Sequence, residues 1–163
     1  MFKVLFILIF SLAECYGHGL CQAPERHLGG CWEDAQNVDL GYLWFEKSTP
    51  RHHRNALDFC KDRDSFLVEI FNHTQQIFLE GRILNIDASH TKWWTGGKYQ
   101  RETKEWIWMN SSQPVGNFVW FRDPQDNPSH EIYLCLVYDQ TLGDNYVGET
   151  CQDEEHHTIC QRM

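Results

Sequence analysis

The sequence predicts an α+β fold stapled by disulfides, and three observations carry that expectation. Two helix-forming stretches lie early, at 55–61 and 72–84. From Lys92 onward, short apolar runs are separated by Gly, Asn, Asp and Pro, the pattern of strands and loops. Helices in one half and strands in the other make an α+β arrangement. Third, six cysteines remain once a secretory leader is removed, matching three disulfides in an exported chain.

Residues 1–17 read as that leader. Lys3 supplies the charge, residues 4–10 a short apolar core, and Ser11, Ala13 and Gly17 the small residues of a cleavage region. The apolar run is shorter than the ~20 residues of a membrane-spanning helix, and no later segment approaches that length. The mature chain is therefore expected to be secreted and soluble. Cleavage after Gly17 removes Cys15 from the seven cysteines and leaves Cys21, Cys31, Cys60, Cys135, Cys151 and Cys160. Cleavage after Ala13 is the alternative, with Cys15 free or bonded to another chain. Spacing alone leaves the pairing open. The remaining ~146 residues, 18–163, fit one domain with a core at about 38–161.

Residues 18–36 read as an irregular extension, closed on itself if Cys21 bonds Cys31. The run Val38-Asp39-Leu40-Gly41-Tyr42-Leu43-Trp44-Phe45 suits a strand, which Pro50 is expected to end. In the first helix, Ala56, Leu57, Phe59 and Cys60 share an apolar face. The second helix has Asn72 as N-cap with Gln75 three residues later, like a capping box. Its apolar face is assigned to Ile77, Phe78 and Leu84. Gly81 costs about 1 kcal/mol relative to alanine, so the helix is expected to end before Leu84.

A net charge of −9 excludes the basic patch that nucleic-acid binding needs, and fits poorly with anionic membranes. Asn72-His73-Thr74 and Asn110-Ser111-Ser112 are sequons compatible with glycosylation during export. Nine histidines include the adjacent pairs His52-His53 and His156-His157, but no HExxH or CxxC spacing specifies a metal set. These pairs are expected as exposed turn residues. No G-x-S-x-G elbow or phosphate loop is present, and the mature cysteines are needed for bridges. The chain is not expected to be an enzyme.

The strand-rich half carries Trp93-Trp94, Trp106-Ile107-Trp108 and Trp120, then Cys135, Cys151 and Cys160. That order of aromatics and cysteines resembles the C-type lectin domain. Ala56 four residues before Cys60 is similar to the family's first helix, and Leu67-Val68-Glu69-Ile70 followed by Phe78-Leu79 is similar to its "LvxI…FL" segment. Trp94-Thr95-Gly96 resembles the "WIG" strand, and Trp106-Ile107-Trp108 the "W-x-W" strand. The resemblance covers roughly two-thirds of the chain, from Ala56 to Cys160. It implies two helices flanking small antiparallel sheets, a long loop, and three disulfides. Cys60 would pair with Cys160, Cys135 with Cys151, and Cys21 with Cys31 as in long-form members.

The same resemblance implies a calcium question. The family's ions sit on oxygen ligands from an "EPN" or "QPD" triplet, a glutamate near the loop cysteine, and a "WND" strand, as a hard cation requires. Here the triplet is Asp123-Pro124-Gln125, and the residue two before Cys135 is Tyr133, with Glu131 two further back. Counting back from Cys151, the "WND" positions hold Tyr146-Val147-Gly148, and the last two have no side-chain oxygen. Using Asp144 or Asn145 instead needs a shift of roughly 7–10 Å along a strand, too far for bonds of about 2.3–2.6 Å. Gln113-Pro114-Val115 resembles a triplet but precedes Trp120 and reads as a turn. Calcium dependence is thus expected to be weak or lost, with Asp123, Gln125 and Glu131 as weak candidate ligands.

The resemblance places the ligand surface on the loop at 109–134. Its candidate contacts are Asp123, Gln125, Asp126, Asn127, Glu131, Tyr133 and Tyr146, with Phe118 and Phe121 as further aromatics. The implied partner is a glycan or an extracellular protein. A calcium-dependent carbohydrate-binding lectin and a structural or matrix protein are the alternatives; the sequence specifies no oligomeric state.

Overall fold

A tight reversal at Gly41 begins the sheet. The computed structural model describes residues 32–37, 40–86, 92–116, 134–142 and 145–163. Strand β1 (Trp32–Asn37) runs antiparallel to β2 (Gly41–Arg51), with Asn37 opposite Gly41. Gly41 has φ 69°, and a Cβ there would lie 2.2 Å from the Arg162 carbonyl oxygen, so no other residue fits. The expectation of an irregular segment at 18–36 is corrected for 32–36, which pair in register with β2. Their sequence lacks apolar alternation, and they are a strand by their pairing with β2. The expected stop at Pro50 is also corrected, since β2 reaches Arg51. Its register with β8 (His156–Arg162) shifts between Glu46 and Arg51, and Pro50 falls in that irregular stretch, where a missing N–H is tolerated.

Helix α1 (His53–Lys61) buries His53, Ala56 and Cys60. Strand β3 (Phe66–Leu67) then pairs with β8. Helix α2 (His73–Ile83) starts as predicted: Asn72 Oδ1 accepts from Gln75 N–H at 2.9 Å, and Gln75 Oε1 accepts from Phe71 N–H at 2.7 Å. The apolar face differs in part from the one assigned: Phe78 packs against the core, but the other two residues do not. Ile77 is 54 % and Leu84 58 % exposed, while Gln75, Gln76, Leu79 and Ile83 are buried. The two glutamines can be buried because each is hydrogen-bonded, Gln76 Nε2 donating to Glu80 Oε1. Gly81 lies on the open side with nothing near it, so the helix passes through it.

The remaining strands are β4 (Lys92–Gln100), β5 (Glu105–Trp108), β6 (Leu134–Asp139) and β7 (Asn145–Thr150). They join the others in one sheet of order β1-β2-β8-β4-β6-β7, with β3 beside β8 and β5 beside β4. Where the sequence predicts small antiparallel sheets, the described strands form a single mixed one, because β4 and β8 meet in parallel at Trp93–His157 and Trp94–Thr158. The α+β class and the two helices stand.

Two cores lie on opposite faces of this sheet, following the two-residue period of strand side chains. Trp93, Leu136 and Ile159 join α2's Leu79 and Ile83 in one cluster. Their neighbours Trp94, Val137 and Cys160 join α1's Ala56 and Cys60 in the other. The bridges Cys60–Cys160 and Cys135–Cys151 are both formed, as the resemblance implies, and both lie in the α1-side cluster. The expected Cys21–Cys31 bridge lies outside the described residues.

Candidate functional site

The long loop leaves the sheet after β5 and returns at β6, and both ends are anchored. At the departing end the buried Glu69 carboxylate accepts from Asn110 N–H at 2.6 Å, and each of its oxygens accepts from Ser111 N–H, at 3.3 and 3.2 Å. Met109 N–H donates to Gly96 O at 2.9 Å, tying the same turn to β4. Gln113-Pro114-Val115 then folds back on β5, with Pro114 bridged to Ile107 and Val115 N–H donating to Trp106 O. The turn itself falls at 109–111, so the expected turn at Gln113-Pro114-Val115 is corrected to the returning arm that pairs with β5. At the returning end, Cys135 is bonded to Cys151 and paired with Glu149 of β7. Residues 117–133 lie outside the described residues, and with them Asp123, Gln125, Asp126, Asn127, Glu131 and Tyr133, as well as Phe118, Trp120 and Phe121.

The described part of the candidate calcium region is β7, and it does not fit the ion. Tyr146 is 2 % exposed, its ring edge-on to Tyr138 at 5.4 Å, so the proposed ligand contact at Tyr146 is corrected to a core residue. Its place opposite Tyr138 on the inward face of β7 dictates this. Val147 offers no oxygen. At Gly148 a Cβ would stand 2.8 and 2.9 Å from Cζ2 and Cη2 of Trp106, so the indole fills the space in which a ligating side chain would begin. Trp106 is itself held, buried against Tyr99 at 5.6 Å. Sequence comparison shows only the missing oxygens; the filled space needed the structure.

Beyond Gly148, Glu149 is partly buried and bonded on both oxygens, to Lys92 Nζ and to His156 Nε2, each at 2.5 Å. Burial works to raise the Glu149 carboxyl, but the hydrogen bonds from His156 and Lys92 outweigh it and hold its pKa below the ordinary carboxylate range. Asp139 stands 3.6 Å from Lys92 Nζ, and its Oδ1 accepts from Thr141 N–H and Oγ1. These partners anchor β7 to β4 and β8.

The His52 side chain is exposed as expected, at 43 %, but the other three paired histidines are corrected from exposed turn residues. His53 and His156 are buried, at 3 % and 7 % exposure, both against the Trp94 ring at 5.1 and 4.6 Å, and His157 lies 5.3 Å from Trp93. Neighbouring residues of β8 face opposite ways, so one histidine goes to each tryptophan. His53 also approaches Cys135 and Cys151, but those sulfurs bond each other and form no ligand set with it. Burial, helped by the Lys98 charge, overrides a hydrogen bond to the Thr95 backbone and lowers the His53 pKa from 6.5 to about 4. The unfolded chain therefore binds the extra proton between those values. Stability contributed at His53 is full above pH ~6.5 and falls as pH drops, by about 2 kcal/mol at pH 5. Urea unfolding at pH 7 and pH 5 checks this: the wild type loses that stability and His53→Gln loses markedly less. Equal losses in both would contradict it.

The clefts among the described residues include two, near the start of the long loop and at the β4–β5 hairpin. One, of about 200 Å³, lies between α1, β3 and the turn at Met109–Asn110, with Leu57, Phe66 and Met109 in its wall. The other, of about 320 Å³, lies along the β4–β5 hairpin, beside Lys98, Tyr99 and Arg101.

Comparison with known proteins bears on this geometry. The family model described as "Lectin C-type domain" matches residues 49–162. No curated protein sequence matches significantly. Among solved structures, the fold is similar to one described as an SPL-1–GlcNAc complex (20 % identity, TM-score 0.66, 80 % of this chain and 91 % of that one). It is similar to the mouse scavenger receptor C-type lectin carbohydrate-recognition domain (21 %, 0.62, 80 % and 92 %). It is also similar to the Ca²⁺-independent C-type lectin SPL-2 from Saxidomus purpuratus (18 %, 0.60, 84 % and 89 %). Identities this low establish the shared fold alone.

Proposed function

The chain belongs to the C-type lectin domain family, and on that premise we propose that it is an exported recognition protein that binds a glycan or extracellular protein ligand through the loop at 109–134 without requiring calcium. The observation that carries this is Gly148 beneath the Trp106 ring, in the strand position where the resemblance calls for a ligating acid. A second support is that the fold is compatible with such behaviour: SPL-2 is described as calcium-independent, while SPL-1 is described in complex with GlcNAc. Residues 1–17 serve as the leader in this proposal, and 18–163 as the exported domain. No helix among the described residues is long and apolar enough to cross a membrane. Lectin C-type domains generally act by binding, and we assign this chain no catalytic role.

Within the loop, Phe118, Phe121 and Tyr133 supply ring faces for stacking, and Asp123, Gln125, Asp126, Asn127 and Glu131 supply hydrogen bonds to hydroxyls or amides. Tyr146, packed in the core against Tyr138, is left out of this contact set. A glycan array and an extracellular-protein array, each probed with and without chelator, test this function. The expected result is a ligand retained in chelator and lost when Phe118, Phe121 and Tyr133 are changed to alanine. Binding abolished by chelator and restored by calcium would overturn it in favour of a calcium-dependent lectin. Self-association with no ligand on either array would favour a matrix role.

A further inference from the structure

We propose that Asn72 and Asn110 carry N-linked glycans on one face of the domain, and that the first sugar at Asn110 covers the small apolar cleft beside it. This goes beyond the ligand proposal and requires only that the chain be exported. Both asparagines are exposed, and both begin a sequon. The structure brings them together. Glu69, three residues before Asn72, holds the backbone of Asn110, and Phe71 packs edge-on against Trp108 at 6.3 Å. The two attachment points thus flank a single contact between the α2 entry and the β5 turn.

Each asparagine is placed so that modification leaves its structural role intact. Asn72 caps α2 through Oδ1, whereas a glycan attaches at Nδ2. Asn110 holds its turn through the backbone N–H, leaving its side chain without a structural duty in that contact. In the transfer, Nδ2 forms a bond to the anomeric carbon of an oligosaccharide carried on a lipid pyrophosphate. The anomeric C–O bond breaks, pyrophosphate leaves on the lipid, and the amide gives up one proton; nothing is oxidised or reduced.

The occupant of the cleft follows from its lining. Asn110 is part of the wall, with Leu57, Phe66 and Met109 forming an apolar side. At about 200 Å³ the cleft is smaller than the usual ~300–1,000 Å³ of small-molecule pockets, and suits part of one sugar ring. Phe71, 39 % exposed beside Asn72, gains cover in the same way. A covalently attached sugar lies at its surface at all times, so even a weak apolar contact is populated.

The test uses the full chain produced in a secreting eukaryotic cell. Glycopeptide mapping is expected to find both Asn72 and Asn110 occupied. Thr74→Ala and Ser112→Gly each remove one sequon while keeping its asparagine. Ser112 has φ 59°, a conformation glycine adopts more readily, so the bare substitution relaxes the backbone and any loss of stability belongs to the sugar. Ser112→Gly is expected to lower Tm by about 2–4 °C and to raise the fluorescence of an apolar dye. Trimming the wild type with an endoglycosidase that leaves one GlcNAc is expected to change neither. An unmodified Asn110 would overturn the proposal, as would a Ser112→Gly protein with wild-type Tm and dye binding.

Discussion

Replacing Cys60 and Cys160 together with alanine is expected to lower the unfolding free energy by about 4–5 kcal/mol, the largest effect of any change considered. The bridge closes a loop of 100 residues and joins α1 to the central strand β8. In the chain-entropy model, freeing a loop of that length costs about 4.7 kcal/mol, whereas freeing the 16-residue loop of Cys135–Cys151 costs about 3. Both half-cystines of the first bridge are fully buried, so alanine also leaves small voids. Since domains of this kind are stable by about 5–15 kcal/mol, the double variant should be marginal near body temperature. Urea unfolding of the two double variants, compared with wild type, measures both numbers. A loss below about 1 kcal/mol for Cys60→Ala/Cys160→Ala, or the reverse ranking, would contradict the role assigned to loop length.

Gly148→Asp is expected to cost about 2–4 kcal/mol and to create no calcium site. The cost has two sources. The new Cβ collides with the Trp106 ring, and overpacking of that kind costs about 1–3 kcal/mol. The carboxylate adds the penalty of burying a charge against an aromatic ring. Gly148→Ala isolates the steric part and should cost about 1–3 kcal/mol on its own. Adding Trp106→Ala should make the pair less damaging than the sum of the single changes, by about 0.5–3 kcal/mol. Unfolding midpoints for the four proteins complete that cycle. Wild-type stability in Gly148→Asp would mean that β7 has room for a ligand after all.

How far the sequence anticipates these features depends on whether the signal is local. Asn72 and Gln75 mark the start of α2 because capping is decided within four residues, and the structure shows that cap formed. The bridges Cys60–Cys160 and Cys135–Cys151 follow from the family resemblance, which the spacing of tryptophans and cysteines makes specific. The buried face of α2 is misassigned because hydrophobicity alone favours Ile77 and Leu84. Gln75 and Gln76 are buried through hydrogen bonds that hydrophobicity does not reveal. Strand β1 has no apolar pattern to read, and only its pairing with β2 reveals it. His53 and His156 come together only because a parallel pairing sets β8 beside β4.

The candidate site divides in the same way. The absence of a side-chain oxygen at Val147 and Gly148 is plain in the sequence, and the family resemblance gives it a meaning for calcium. That Trp106 occupies the vacated space is a packing fact, since β5 reaches Gly148 only through the folded sheet. Tyr146 is ambiguous in sequence, because a tyrosine serves a core or a surface equally well; its place opposite Tyr138 decides for the core.

A calorimetric titration of calcium into the folded wild-type chain addresses the central proposal most directly. No saturable one-to-one heat is expected up to about 1 mM, the weak end of extracellular calcium modules. A single-site isotherm with micromolar affinity would contradict it, and would require the loop to assemble an oxygen cage that bypasses Val147 and Gly148.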